Sequence, residues 1–279
     1  MPEGPEIRRA ADQISSVLTG KAATSIQFGL DRLQQFETKL TGEKITSIET
    51  RGKAILTHFG NGLTIYSHNQ LYGRWVTLRT GETSESKRQL RIRIETIRGS
   101  ALLYSASEIE VLTKTGIDTH PFLSKLGPDL FDPSLTIDAI EERLLSPKFH
   151  NRQLGSFLTD QSFVAGLGNY LRCEILFLTQ LLPSSKPRHC SKEQIHHLAK
   201  QVLDLPSQSY QTGGITYLPD RAETLMNAGQ SKESSRFWIF RRNGLPCRIC
   251  QTTIEKENHN GQPCYLCPNC QQPQTPGLT

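Results

Sequence analysis

Four cysteines near the end of this 279-residue chain constrain its fold more than any other feature. Cys247, Cys250, Cys267 and Cys270 are spaced C-x2-C-x16-C-x2-C, which suits tetrahedral zinc held by four thiolates on two tight knuckles. Four protein ligands leave zinc no open position for water, so one structural ion per chain is expected to hold a small module together without performing chemistry. A disulfide framework is the weaker reading in a reducing compartment, and a redox C-x-x-C does not normally come as a spaced pair at a chain end. Cys264 stands three residues before Cys267 and is a rival ligand, whereas Cys173 and Cys190 read as a core thiol and a loop thiol.

Charge adds a second constraint through its placement. Thirty-two basic against twenty-seven acidic side chains leave +5, too small an excess to identify a polyanionic partner. Between Ser234 and Ile254, however, lie Arg236, Arg241, Arg242 and Arg248 without one acid, beside the cysteine motif. A second group, Lys87, Arg88, Arg91, Arg93 and Arg98, alternates with apolar residues and reads as a solvated strand face. No apolar run exceeds four residues, against roughly 20 for a bilayer span, so no membrane segment is expected. Glu3 and Glu6 stand where a secretory signal needs a basic segment, which makes the expected compartment the cytoplasm.

The hydrophobic period changes along the chain. Ile7, Ala10, Ala11, Ile14 and Val17 or Leu18 share one face of a helix beginning near Pro5, whose missing N–H costs nothing in a first turn. Strand signals follow to about residue 105: Leu90 to Glu95 alternates strictly, and Phe59-Gly60-Asn61-Gly62-Leu63 reads as a hairpin turn. After Gly127-Pro128-Asp129 the period is helical, with one helix over Thr136 to Leu145 and another opened by a capping box at Ser191-x-x-Gln194. Asp160 to Gln180 reads as two helical pieces split by Gly166-Leu167-Gly168-Asn169, and Tyr210 to Ser235 as a mobile loop or linker. The tail after Cys270 is polar and expected to be loose. These patterns predict an α+β multidomain chain: residues 1–128 a β-sandwich or barrel with a leading helix, 129–235 a helical domain and linker, 236–270 a four-cysteine finger, and 271–279 a tail.

The glycine turn Gly166-Leu167-Gly168-Asn169 feeds a helix N-terminus, where free N–H groups and the helix dipole favour a phosphate oxygen. Alone it is an ordinary tight turn; with the arginine-bearing finger it becomes a second grip on a nucleic-acid backbone. Taken with Pro2-Glu3-Gly4-Pro5-Glu6, Arg51-Gly52-Lys53, Ser67-His68-Asn69-Gln70-Leu71-Tyr72-Gly73 and Gly127-Pro128-Asp129, in this order, it resembles the formamidopyrimidine-DNA glycosylase and endonuclease VIII family, on the endonuclease VIII side. The resemblance spans Pro2 to Cys270. It implies a β-sandwich, a helix-two-turn-helix domain and a β-hairpin zinc finger. It also implies a base-excision repair enzyme that removes oxidised bases, mainly pyrimidines, from damaged double-stranded DNA and then cleaves the strand as an apurinic/apyrimidinic lyase. Such an enzyme needs no diffusible cofactor and acts as a monomer.

The residue types fit that chemistry. Loss of Met1 exposes the secondary amine of Pro2; about a tenth of an α-amino group is neutral at pH 7, against a few parts in ten thousand for lysine. By resemblance Pro2 is the nucleophile, Glu3 the catalytic carboxylate and Lys53 the hairpin lysine near the lesion phosphate, with Glu6 a lesser candidate for positioning the amine. Gln70, Leu71 and Tyr72 match the loop that fills the void left by an everted base, and Lys125 and Asn169 match backbone contacts. One position departs: five residues before the third finger cysteine the family pattern has a DNA-contacting arginine, and here stands Gln262. Glutamine can bond a phosphate but cannot act as a cationic acid, so weaker lesion binding or slower δ-elimination is expected. Two rival readings are an oxidised-purine glycosylase and a non-catalytic DNA-binding zinc protein. The consecutive Gln70-Leu71-Tyr72 filler argues against the first; the second has no use for a free amine on Pro2.

Overall fold

Helix α1, Gly4–Leu18, forms on the apolar spacing read above, and its buried stripe is Ile7, Ala11, Ile14 and Leu18. Each of the three large side chains on that stripe is worth roughly 1.5–3 kcal/mol against leaving it in water. The protein's structure, a computed structural model, describes residues 2–272 and divides into two units, Met1–Leu126 and Gly127–Thr279.

In the first unit α1 packs on a sandwich of two antiparallel four-stranded sheets. The strands are β1 (Ser25–Phe28), β2 (Ile45–Arg51), β3 (Ala54–Phe59), β4 (Thr64–His68), β5 (Arg74–Arg79), β6 (Leu90–Thr96), β7 (Gly99–Tyr104) and β8 (Glu108–Leu112). One sheet has the order β1-β6-β7-β5 and the other β2-β3-β4-β8. Two short helices, α2 (Asp31–Gln34) and α3 (Glu37–Leu40), follow β1, and α4 (Lys114–Asp118) follows β8. Alternation in β6 does what its pattern predicts: Ile92 and Ile94 are fully buried while Arg91 and Arg93 reach outward. The expected hairpin turn joins β3 to β4, with Gly62 at φ 83 and the Asn61 side chain accepting from the Leu63 amide. The core runs from α1 through Phe28, Ile45, Ile55, Ile65, Leu103 and Ile109.

The second unit is helical with a terminal hairpin. Its helices are α5 (Ile137–Leu145), α6 (Leu154–Phe157), α7 (Asn169–Leu178), α8 (Lys192–Gln211), α9 (Pro219–Asn227) and α10 (Lys232–Ser235); strands β9 (Glu255–His259) and β10 (Gln262–Leu266) pair antiparallel. Thr136 caps α5, and the Ser191/Gln194 capping box opens α8 as expected. Helix α7 is enclosed on all sides: every residue from Tyr170 to Phe177 is buried, and α8 and β10 both pack on it.

Three expectations fail here. Residues 160–165 are a turn, in which Asp160 Oδ1 accepts from the Ser162 amide and Ala165 bridges to Asp129, so the stretch 160–180 holds one helix. The stretch 210–235 is not a structureless loop but carries α9 and α10; Pro219 and Asp220 suit a helix start, and Ala222 alone is buried from α9, too little apolar signal to read in sequence. The tail does not loosen directly after Cys270: the buried Gln271 donates to Leu181 O at 2.8 Å and accepts from the Cys267 amide at 2.9 Å. Residues 273–279 of the expected tail lie outside the described residues.

Candidate active site and nucleic-acid interface

In the first unit the start of α1 and the β2–β3 turn bring charges together. Glu3 is the helix N-cap and Glu6 completes a capping box, its Oε2 accepting from the Glu3 amide at 3.0 Å. Both carboxylates therefore sit where the helix dipole favours negative charge, and Glu3 is buried. Gly52 takes φ 61 in the two-residue turn between Arg51 and Ala54, a left-handed conformation that glycine adopts without a Cβ clash. That turn carries Lys53 inward, to 6% exposure. Burial pushes the Lys53 ammonium below its ordinary range, and the carboxylates of Glu3 and then Glu6 oppose the shift. Pro2, partly buried, precedes this group directly. A lysine whose charged form burial disfavours, acted on by the buried Glu3 and the partly exposed Glu6, is equipped to take and return protons.

The expected void-filling loop follows β4. Its tip offers Leu71 and Tyr72 to solvent at 64% and 73% exposure, in a unit whose other large apolar side chains are mostly internal. Gly73 is required there: its amide donates to Asn69 O at 2.7 Å, and an added Cβ would meet that oxygen at 2.4 Å. Lys125 is exposed at the end of a short 3-10 turn, Leu123–Lys125.

In the second unit Asn169 begins α7 after Gly168. Its Nδ2 donates to Pro263 O at 2.9 Å and its Oδ1 accepts from Arg172 Nη2 at 2.5 Å. An amide nitrogen carries two hydrogens, and one of them ties the helix start to β10. Gln262 opens β10 opposite His259 and is partly buried; its Oε1 has no hydrogen-bond partner in the structure. Among the described residues the one His/Cys/Asp/Glu group suited to a metal is Cys247, Cys250, Cys267 and Cys270, whose sulfurs lie within 4.8 Å of one another. The Cys247–Cys270, Cys250–Cys267 and Cys250–Cys270 Sγ separations are 3.8, 3.4 and 3.4 Å. A tetrahedron with metal–sulfur bonds of about 2.3 Å has edges of about 3.8 Å, so the thiols are gathered as a zinc ion requires.

Cys264 does not compete for that site. It is fully buried and its Sγ contacts that of Cys173 on α7 at 3.8 Å, joining hairpin to helix. Sequence reading also missed two charges inside α7. Arg172, fully buried, donates to Gly155 O at 2.7 Å and reaches Pro263 O at 3.2 Å. Glu174, equally buried, accepts from the amides of Trp238, Ile239 and Phe240, each at 2.8 Å, and from the Thr216 hydroxyl. Burial pushes the Glu174 carboxyl up, and these donors offset only part of the rise. The signal for both was present as two opposite charges interrupting an apolar helix.

The chain thus combines a leading helix on a β-sandwich, a buried lysine with carboxylates at the chain start, and a helical unit ending in a four-cysteine hairpin. Family models agree: the formamidopyrimidine-DNA glycosylase N-terminal domain matches residues 1–107 and the formamidopyrimidine-DNA glycosylase H2TH domain residues 126–218. The chain belongs to this family of base-excision-repair DNA glycosylases and apurinic/apyrimidinic lyases. It is similar to Endonuclease 8 of Escherichia coli, 47% identical with 97% of this chain and 100% of the relative covered, and to that of Salmonella arizonae, 48% identical with 98% and 100% covered. Among solved structures, Lactococcus lactis Fpg with abasic-site DNA superposes at TM-score 0.78, with 20% identity and 97% and 100% coverage. The same protein with DNA containing an oxidised pyrimidine gives 0.79, with 21% identity and 98% and 100% coverage.

Proposed function

We propose that this enzyme excises oxidised pyrimidines from double-stranded DNA through a covalent intermediate on Pro2. With Met1 removed, the neutral proline nitrogen attacks C1′ of the lesion nucleotide, the C1′–base bond breaks, and the base departs with a proton. The opened sugar is held as an iminium, because a secondary amine has no second proton to lose. That cation acidifies the C2′ hydrogen; its loss expels the 3′ phosphate by β-elimination, and water then releases the sugar from Pro2. Glu3 protonates the opening ring, and Lys53, moved toward neutrality by burial, carries protons beside it.

The observation that carries the reading is the buried Lys53 acted on by Glu3 and Glu6 at the head of α1. Leu71 and Tyr72 suit entry into the duplex, Lys125 and Asn169 suit backbone contacts, and Gln262 supplies a neutral donor where the family pattern has a cation. The four finger cysteines would hold one zinc ion, supplying only structural cross-linking. The molecule acts as a monomer in the cytosol; among the described residues no helix is long and apolar enough to cross a membrane.

Borohydride reduction in the presence of a lesion panel tests this. The wild-type enzyme should form a covalent adduct with oxidised-pyrimidine and abasic-site duplexes, mapped by peptide mass analysis to the Pro2 nitrogen, and a chain that keeps Met1 should not form it. Preference for oxidised purines would overturn the substrate assignment, and an adduct mapped to another residue, or an undiminished adduct in Glu3→Gln, would overturn the residue roles.

A further inference from the structure

The exposed loop tip is anchored by side chains that strand pairing does not require. His68 at the end of β4 is the register partner of Glu108 at the start of β8. Glu108 Oε1 accepts from the Tyr66 hydroxyl at 2.9 Å, and its Oε2 lies 3.2 Å from His68 Nδ1 and 3.4 Å from Gln70 Nε2. The neighbouring Ser107 hydroxyl donates to Gln70 Oε1 at 2.9 Å. Both ends of the Gln70 amide are thus engaged by consecutive residues of one segment. That segment is itself pinned, because the Arg32 guanidinium donates to Ser107 O at 3.1 Å and to Ile109 O at 2.8 Å.

The anchoring has a purpose in the backbone. Gln70 stands at φ 51, in the left-handed region that a residue with a Cβ keeps only where its surroundings over-determine it. The far side of the loop is tied as well, with Arg88 Nη1 donating to Tyr72 O at 2.9 Å. Leu71 and Tyr72, between these ties, have little packing of their own to hold them out. A wedge ordered only on entering the duplex would charge that ordering to the transition state; one ordered beforehand does not.

We propose that Ser107 and Glu108 are positioning residues of the excision reaction: by fixing the Gln70 amide they hold Leu71 and Tyr72 ready to occupy the void left by an everted base. This rests on the glycosylase reading above. Gln70 then serves the free enzyme as an anchor, and Leu71 and Tyr72 are the parts that enter the stack.

The test compares single-turnover excision of one oxidised pyrimidine in a duplex and in a single strand, which has no base stack to fill. Loss of one such hydrogen bond corresponds to about a tenfold change. Ser107→Ala and Glu108→Ala, each of which removes a partner of the Gln70 amide, should each lower the duplex-to-single-strand rate ratio by about that factor, mainly in the excision rate and little in KM. Ser107→Thr keeps the hydroxyl and should restore the ratio, and Gln70→Ala combined with Ser107→Ala should be no worse than the poorer single variant. Equal losses on both substrates, no loss, or strict additivity of the pair would overturn the proposal. A wild-type enzyme that excises neither substrate and gives no borohydride adduct would instead overturn the glycosylase reading beneath it.

Discussion

Glu174→Gln isolates the fully buried carboxylate of α7, and its cost can be worked from four hydrogen bonds. Oε1 serves the Ile239 and Phe240 amides, while Oε2 serves the Trp238 amide and the Thr216 hydroxyl. A carboxamide keeps one oxygen for Ile239 and Phe240 and turns its NH2 toward the other pair. Thr216 can rotate and accept, but the Trp238 N–H then faces a donor. Losing a bond to a charged acceptor costs about 1.5–3 kcal/mol, and an unpaired buried N–H about 1–3. Removing the charge recovers part of the burial penalty, leaving a net loss of roughly 2–4 kcal/mol. For a unit of this size that lowers the unfolding midpoint by about 5–15 °C. Glu174→Ala leaves all four donors unpaired and should cost more than Gln. Thermal and urea unfolding of the full chain decide the matter. A Gln variant within about 1 kcal/mol of wild type, or an Ala variant more stable than Gln, would refute the reasoning.

The remaining predictions concern the site. Lys53→Arg keeps the charge but cannot give up its proton, so the trapped intermediate should still form while β-elimination slows, read as accumulation of adduct over cleaved strand. Because burial lowers the folded-state pKa of Lys53, the unfolded chain binds more protons between that value and 10.5, and wild-type stability should rise with pH across the window. Lys53→Met should lack this rise, seen as urea midpoints that converge with wild type toward alkaline pH. Chelation should remove one zinc per chain by metal analysis and weaken lesion-duplex affinity, while the main melting transition of the helical core persists; an unchanged affinity would separate the finger from binding. Gln262→Arg should raise the δ-elimination fraction severalfold on gel assay, and no increase would mean the missing cation is supplied elsewhere.

What the sequence made legible follows interaction range. Helices α1 and α5, the 59–63 turn, β6 and the capping box of α8 are written in residues close together in the chain, and each forms as read. The finger was legible for the same reason, since each knuckle is a local C-x-x-C. Contacts between distant segments were not: Cys264 meets Cys173 across 91 positions, and Gln70 meets Ser107 across 37. Arg172 and Glu174 went unread for the same reason, since most of the groups that satisfy them, such as Gly155 O, Pro263 O and the amides of 238–240, come from distant segments. Helix α9 was hidden by its polarity.

The placement of Glu174 also governs how the protein can be made. Its amide donors arrive 64 to 66 residues later in the chain. During synthesis, the Glu174 carboxylate stays hydrated until the amides of residues 238–240, its partners in the fold, have emerged. Burial of α7 in its native form therefore waits on the arrival of that segment, and a polypeptide terminated before it lacks the amides that compensate the buried charge.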